Sequence, residues 1–122
     1  MYFRGIRGAT VADENSELAI LAATGELLEK MISLNNLSKD AIASIFFSVT
    51  SDLNATFPAI AARQLGLTQT PLLCFNEIPV PKSLGKCIRV LMHVNSPLSQ
   101  EEMVHVYLKE AIRLRPDQAA KK

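Results

Sequence analysis

The stretch Cys87-Ile88-Arg89-Val90-Leu91-Met92-His93-Val94-Asn95 reads as a strongly apolar β-strand with an arginine set inside it. A guanidinium in such a run is expensive to bury unless it is paired. One reading makes this an edge strand, with Arg89 snorkelling to water. The other gives Arg89 an anionic partner.

Upstream, residues 2–9 alternate loosely around Gly5 and Gly8, which suggests a strand closely approached by another backbone or a ligand. Arg7 lies between Ile6 and Gly8, either as a solvated charge or as a ligand contact. Asp13 or Asn15 is expected to cap a helix. Leu18, Leu21, Gly25, Leu28 and Ile32 then follow helical spacing, and Ile20, Leu27, Met31 and Leu34 widen that stripe into a packing face. Asn35-Asn36 ends the helix. A second strand is expected over 42–50, with Ile45, Phe47 and Val49 on one side, followed by a loop at 51–54. Phe57 is held extended by Pro58. Pro58 opens a short helix that Gly66 closes. A third strand is expected over 70–75, then a loop over 76–86 containing Pro79, Pro81 and Gly85.

Downstream, Ser99 and Glu102 have capping-box spacing and predict one helical turn. Val104, Val106 and Leu108 alternate with His105 and Tyr107 in a short fifth strand. Residues 113–117 are expected to be extended before Pro116, and 118–122 to form a mobile tail. The order β-α-β-α-β-β-β predicts an α+β fold with a mixed sheet packed against helices, in a single domain over 1–117.

The chain has 122 residues and a net charge of +1. A chain of that length can bury roughly two-thirds of its unfolded surface. The charge argues against a nucleic-acid binder, which needs a basic face. No run of about 20 apolar residues suggests a membrane span. The N-terminal residues lack the layout of a signal peptide. A cytoplasmic protein is the expectation. Cys74 and Cys87 sit in apolar runs and read as small hydrophobes, with no zinc-ligand spacing and no disulfide framework.

Arginine makes bidentate contacts with carboxylates and stays charged when buried. The six arginines therefore suggest a small acid with more than one carboxylate as ligand. Arg63, Arg113 and Arg115 read equally well as solvated charges. There is no glycine-rich phosphate loop, no GxSxG elbow and no HExxH helix. His93 and His105 read as structural histidines. Cys74 has no cationic sequence neighbour to activate it as a nucleophile. Glu77, just after the third strand, reads as a solvated loop carboxylate unless something else engages it.

Several stretches together carry a family resemblance. They are Arg4-Gly5-Ile6-Arg7-Gly8-Ala9-Thr10, Ser51-Asp52-Leu53, Phe57-Pro58-Ala59, Ala62-Arg63, Cys87-Ile88-Arg89-Val90, His105-Val106-Tyr107-Leu108 and Leu114-Arg115-Pro116-Asp117. In order and spacing they resemble the AroH-class chorismate mutases, over residues 2–117. The resemblance implies the isomerisation of chorismate to prephenate, without cofactor or metal, in phenylalanine and tyrosine biosynthesis. It implies a homotrimer of pseudo-α/β-barrel form, with active sites at the subunit interfaces. Position by position, it implies that Arg89 donates to the ether oxygen of the breaking bond. Arg7 and Tyr107 would bind substrate carboxylate. Glu77 would accept from the ring hydroxyl, with Cys74 close to that hydroxyl, and Leu73 would be a substrate-binding position. Phe57 and Leu114 would form apolar walls, and Arg63 and Arg115 would add charge at the mouth. Ile60 stands where a member of that family has a basic residue, and Leu73 where it has threonine, which implies a modest change in affinity.

Two other readings remain open on sequence. One is a trimeric RidA-like deaminase that uses an interface arginine. The other is a non-enzymatic carboxylate-binding protein on the same scaffold.

Overall fold

Alternating residues open the chain as β1 (Tyr2–Val11), in a computed structural model that describes residues 1–117. The tail expected at 118–122 lies outside the described residues. There follow α1 (Glu17–Leu34), β2 (Ile42–Val49), α2 (Ala59–Gln64), β3 (Leu72–Asn76), β4 (Cys87–Ser96) and β5 (Val106–Tyr107). The sheet order is β3-β2-β4-β1-β5. β4 pairs antiparallel with both β1 and β2, while β1–β5 and β2–β3 are parallel. The sheet is mixed and the fold is α+β, as the element order implies. β4 is the central strand, which overturns the edge-strand reading of Arg89.

One face of the sheet is buried beneath the helices. Ile6 of β1, Ile45 and Phe47 of β2, and Val90, Met92 and Val94 of β4 pack there with Leu27, Leu28 and Met31 of α1 and Ala62 of α2. Fully burying one such side chain contributes about 1.5–3 kcal/mol. The opposite face of β4 carries Arg89, Leu91, His93 and Asn95, all at least partly exposed.

α1 corrects two expectations. Its N-cap is Ser16, whose hydroxyl accepts from the Ala19 N–H at 3.1 Å. Asp13 instead pairs with Lys109 at 3.5 Å. Asn15 ties to the 54–55 backbone, accepting from Asn54 N–H at 3.0 Å and Ala55 N–H at 3.1 Å. The buried face is Ile20, Ala23, Thr24, Leu27, Leu28 and Met31, not the stripe begun by Leu18, which is 82% exposed. The wider set of apolar positions held the right face, and β1 selects it by close contact. A Cβ on Gly8 would collide with Met31 Sδ and lie 3.1 Å from Leu27 Cδ1. The close approach expected at Gly8 is therefore the helix. At its far end α1 is clamped by Asn35. Its amide donates to Met31 O (2.8 Å) and Val104 O (2.9 Å) and accepts from Val104 N–H (2.8 Å).

Gly66 follows α2 at φ +89°, a conformation glycine adopts without steric cost. Residues 113–117 are not a continuous extended run: a 3₁₀ helix spans Lys109–Leu114. Pro116 restrains only the residue before it, Arg115, at φ −143° and ψ 74°. The turn is fixed instead by Ala111, buried against Ala9 and Tyr107. β5 is shorter than expected because side chains seal the edge of β1 ahead of it. Gln100 exchanges hydrogen bonds with the Gly5 backbone at 3.0 and 2.6 Å, and His105 Nδ1 accepts the Arg7 N–H at 2.9 Å.

Asp52 anchors the start of β4. It accepts from Thr50 Oγ1 at 2.5 Å and from the Lys86 N–H at 3.1 and 2.9 Å. The Thr50 hydroxyl, then the backbone N–H, hold its carboxyl below the usual value despite opposition from partial burial.

Two predictions follow from these contacts. Gly8→Val should destabilise the protein by about 1–3 kcal/mol through overpacking against Met31, read as a lower urea midpoint. The loss should shrink in a Met31→Ala background, because the two sites share one space. Asp52→Ala should cost about 1 kcal/mol at neutral pH. A depressed native pKa stabilises above the unfolded value and is lost as pH falls through the native one. The mutant and parent stabilities should therefore converge as pH falls below about 4; a gap independent of pH would refute the carboxylate's role.

Candidate active site

Period-2 alternation places two adjacent ladders of residues on the open face of the sheet. One runs Phe75, Ser48, Arg89, Ala9, Tyr107 across β3, β2, β4, β1 and β5. The next runs Leu73, Phe46, Leu91, Arg7. Apart from Leu73, every one of these residues lines a cleft of about 430 Å³, joined there by Glu77 from the segment after β3. The size suits a small organic ligand. Apolar Phe46, Phe75 and Leu91 meet the charges of Arg7, Arg89 and Glu77. Phe46 and Phe75 stack edge to face with ring centres 5.7 Å apart.

Glu77 is placed by its backbone, whose N–H donates to Val49 O at 2.8 Å and so extends the pairing of β3 with β2. Its carboxylate lies across the sheet surface. Oε2 accepts the Ser48 hydroxyl proton, and Oε1 lies 3.6 Å from Arg89 Nη1. The Arg89 side chain is 46% exposed and that of Glu77 22%. At 3.6 Å this is an ion pair without a hydrogen bond, so Arg89 keeps N–H groups for a ligand. Arg7 is held at its backbone by His105 Nδ1 on one side and by the β4 pairing to Leu91 on the other. Because Nδ1 accepts, the geometry assigns the neutral His105 proton to Nε2. His93 sits lower on the same face, bonded to Ser44 at 3.0 Å and stacked on Phe3 with ring centres 5.2 Å apart.

Of the residues singled out in the sequence, Arg7, Glu77, Arg89 and Tyr107 converge on this cleft. Leu114 lines a smaller adjoining cleft, about 250 Å³, that shares Glu77 and Arg89 with the first. Phe57, Arg63, Leu73, Cys74 and Arg115 line neither. Phe57 is exposed just ahead of α2, and Arg63 is exposed on α2. Leu73 is exposed on β3, an edge strand, and Cys74 faces the core from that strand. Arg115 is engaged by Asp117 at 3.1 and 2.9 Å, and that bond raises its already high pKa.

Both cysteines are free. Burial pushes the Cys87 thiol up to about 11, opposed by the Arg89 charge. It is protonated at neutral pH and unsuited to nucleophilic work. Among the described residues, no group of three or more His, Cys, Asp and Glu side chains is placed to hold a metal ion. No helix among them is long and apolar enough to cross a membrane.

Sequence reasoning missed Ser48, Phe46, Phe75 and Leu91. Their signal was present in the alternation that set Ile45, Phe47 and Val49 on the other side. What was missing was the register that puts Ser48 opposite Arg89.

Comparison with known proteins gives the family. Residues 3–118 match the family model described as chorismate mutase type I. A protein named chorismate mutase AroH from Thermus thermophilus is 50% identical over 115 residues, spanning 93% of this chain and 94% of that protein. The Bacillus subtilis (strain 168) protein of the same name is 43% identical over 118 residues, 96% of this chain and 93% of that one. A solved structure of a chorismate mutase from Clostridium thermocellum superposes with a TM-score of 0.87 at 53% identity, covering 88% of this chain and 96% of that chain.

Proposed function

The chain belongs to the chorismate mutase type I family, and we infer that its cleft rearranges chorismate to prephenate by holding the substrate folded and stabilising charge on the breaking ether oxygen. The observation that carries this reading is the convergence of Arg7, Arg89, Glu77 and Tyr107 on one cleft.

The reaction is a Claisen rearrangement within one molecule. One C–O bond breaks while one C–C bond forms. No proton moves and no electrons leave, so the chemistry asks the protein for neither a nucleophile nor a cofactor. Negative charge builds on the ether oxygen in the transition state. A fixed cation there stabilises the transition state more than the ground state. Arg89 fills that role, partly exposed to the cleft and only loosely paired with Glu77. Arg7 and Tyr107 bind substrate carboxylate, and Glu77 accepts from the ring hydroxyl. The apolar residues hold the ring and side chain in the folded conformer, which supplies the positioning term. An acceleration of about 10⁶-fold requires about 8 kcal/mol, of which one donor aimed at a developing oxyanion supplies about 3–4 kcal/mol.

The site is completed at the interface of a homotrimer. Phe57, Arg63 and Leu73 lie exposed outside the cleft of their own subunit and serve a neighbour's, with the core-facing Cys74 holding the strand beside Leu73. Supporting this, Leu73, Phe75, Ile78 and Val80 are each at least half exposed beside the open face, an apolar surface of the kind a partner covers. Leu114 and Arg115 border the mouth. The working form is a cytoplasmic enzyme with a single domain over residues 1–117, acting in the biosynthesis of phenylalanine and tyrosine.

The test follows chorismate by its ultraviolet absorbance and identifies prephenate as product. Arg89→Ala should lower kcat at least about a hundredfold, with the oligomer unchanged in sedimentation. A neutral isostere of arginine at 89 should be similarly impaired. Full activity of that isostere would refute the electrostatic role. A folded trimer that leaves chorismate untouched would point instead to a carboxylate-binding protein.

A further inference from the structure

We propose that Ser48 is a positioning residue for this reaction: its hydroxyl holds the Glu77 carboxylate back from Arg89, so that Arg89 keeps its N–H groups for the substrate. The proposal rests on the reading of the cleft as the chorismate site.

Ser48 stands directly opposite Arg89 in the β2–β4 ladder and lines the same cleft. Glu77 reaches this pair from the segment after β3, with one carboxylate oxygen on each. A carboxylate and a guanidinium this close ordinarily close into a bidentate pair. Here they stop at 3.6 Å. The Ser48 hydroxyl is what the second oxygen bonds instead, and Ser48 is fixed on an interior strand paired on both sides. The arrangement divides the carboxylate. Oε2 is spent on Ser48, and Oε1 keeps an electrostatic hold on Arg89 without taking up its donors. With the hydroxyl gone, the carboxylate is free to rotate and pair fully with Arg89. The cation then faces Glu77 in place of the ether oxygen. Since that oxygen gains its charge only in the transition state, the cost falls on kcat more than on KM.

A pair of variants at one position tests this. Ser48→Thr keeps the hydroxyl; Ser48→Val has the same shape without it. Ser48→Val should lose about ten- to hundredfold in kcat with KM within about threefold, while Ser48→Thr stays within about threefold of wild type. Ser48→Ala should behave as Ser48→Val does, and in a Glu77→Ala background it should cost less than about threefold further, because its partner is gone. Equal activity of the threonine and valine variants would overturn the proposal. So would a loss confined to KM, or one of the same size with and without the Glu77 carboxylate. Failure of the wild-type protein to convert chorismate would instead refute the reading of the cleft itself.

Discussion

Everything on the working face depends on how β4 is held. Antiparallel neighbours on both sides fix its register, and Ile88, Val90, Met92 and Val94 must all lie under the helices. Arg89 and Leu91 are then forced onto the other face. A slip of one residue would exchange the two sets. It would place a guanidinium among Leu27, Met31 and Phe47, at a cost of several kcal/mol. The hydrophobic effect, acting on the even-numbered residues of β4, thus positions the odd-numbered ones. The same alternation in β1 and β2 sets Arg7 and Ser48 beside them. The cation proposed to act on the substrate is located by burial of residues on the helix side of the sheet.

A cation in an apolar cleft raises a second problem, since it attracts any nearby carboxylate. Glu77 serves as counter-charge, which limits the cost of an unpaired guanidinium. Full bidentate pairing would engage two of the Arg89 donors and turn that edge of the guanidinium to Glu77. The geometry settles between these limits, with the carboxylate shared between Arg89 and Ser48. Arg7 is treated differently. Its side chain is free to address the cleft because its backbone is fixed at both edges, by Leu91 and by His105. Donors fixed before substrate arrives need little reorganisation during reaction, and that is where electrostatic catalysis gains.

The elements most legible in the sequence were those set by local chemistry. Pro58 and Gly66 bracket α2, Asn35 ends α1, alternation marks β2 and an apolar run marks β4. Arg89 was conspicuous because its type conflicts with its neighbours. What failed to show was decided by partners distant in the chain. Ser16 caps α1 because Asp13 and Asn15 are drawn away to Lys109 and to the 54–55 backbone. The face of α1 is chosen by contact with Gly8. The 3₁₀ turn at Lys109–Leu114 forms because Ala111 packs on Ala9. Within the site, Glu77 and Tyr107 were legible only through family resemblance, since each alone reads as an ordinary residue, while Arg7 read equally as a solvated charge or a ligand contact. Ser48 was illegible because a serine on a strand carries no signal until its ladder partner is known.

The placement of the remaining expected residues has a physical logic of its own. A sheet face is nearly flat, and a flat surface cannot exclude water from a small acid. The cleft here has a floor of strands, which Glu77 reaches from the segment after β3. The side toward β3 is low, because β3 is an edge strand with Leu73 and Phe75 exposed on it. Closing that side with the chain's own backbone would require another element, and none is present among the described residues. A second subunit placed there, as proposed above, would bury the exposed apolar residues and dry the cleft in one step. It would also lower the local dielectric around Arg89, strengthening the hold proposed for it on a developing negative charge. On the proposed reading, assembly and catalysis would be two consequences of the same uncovered edge.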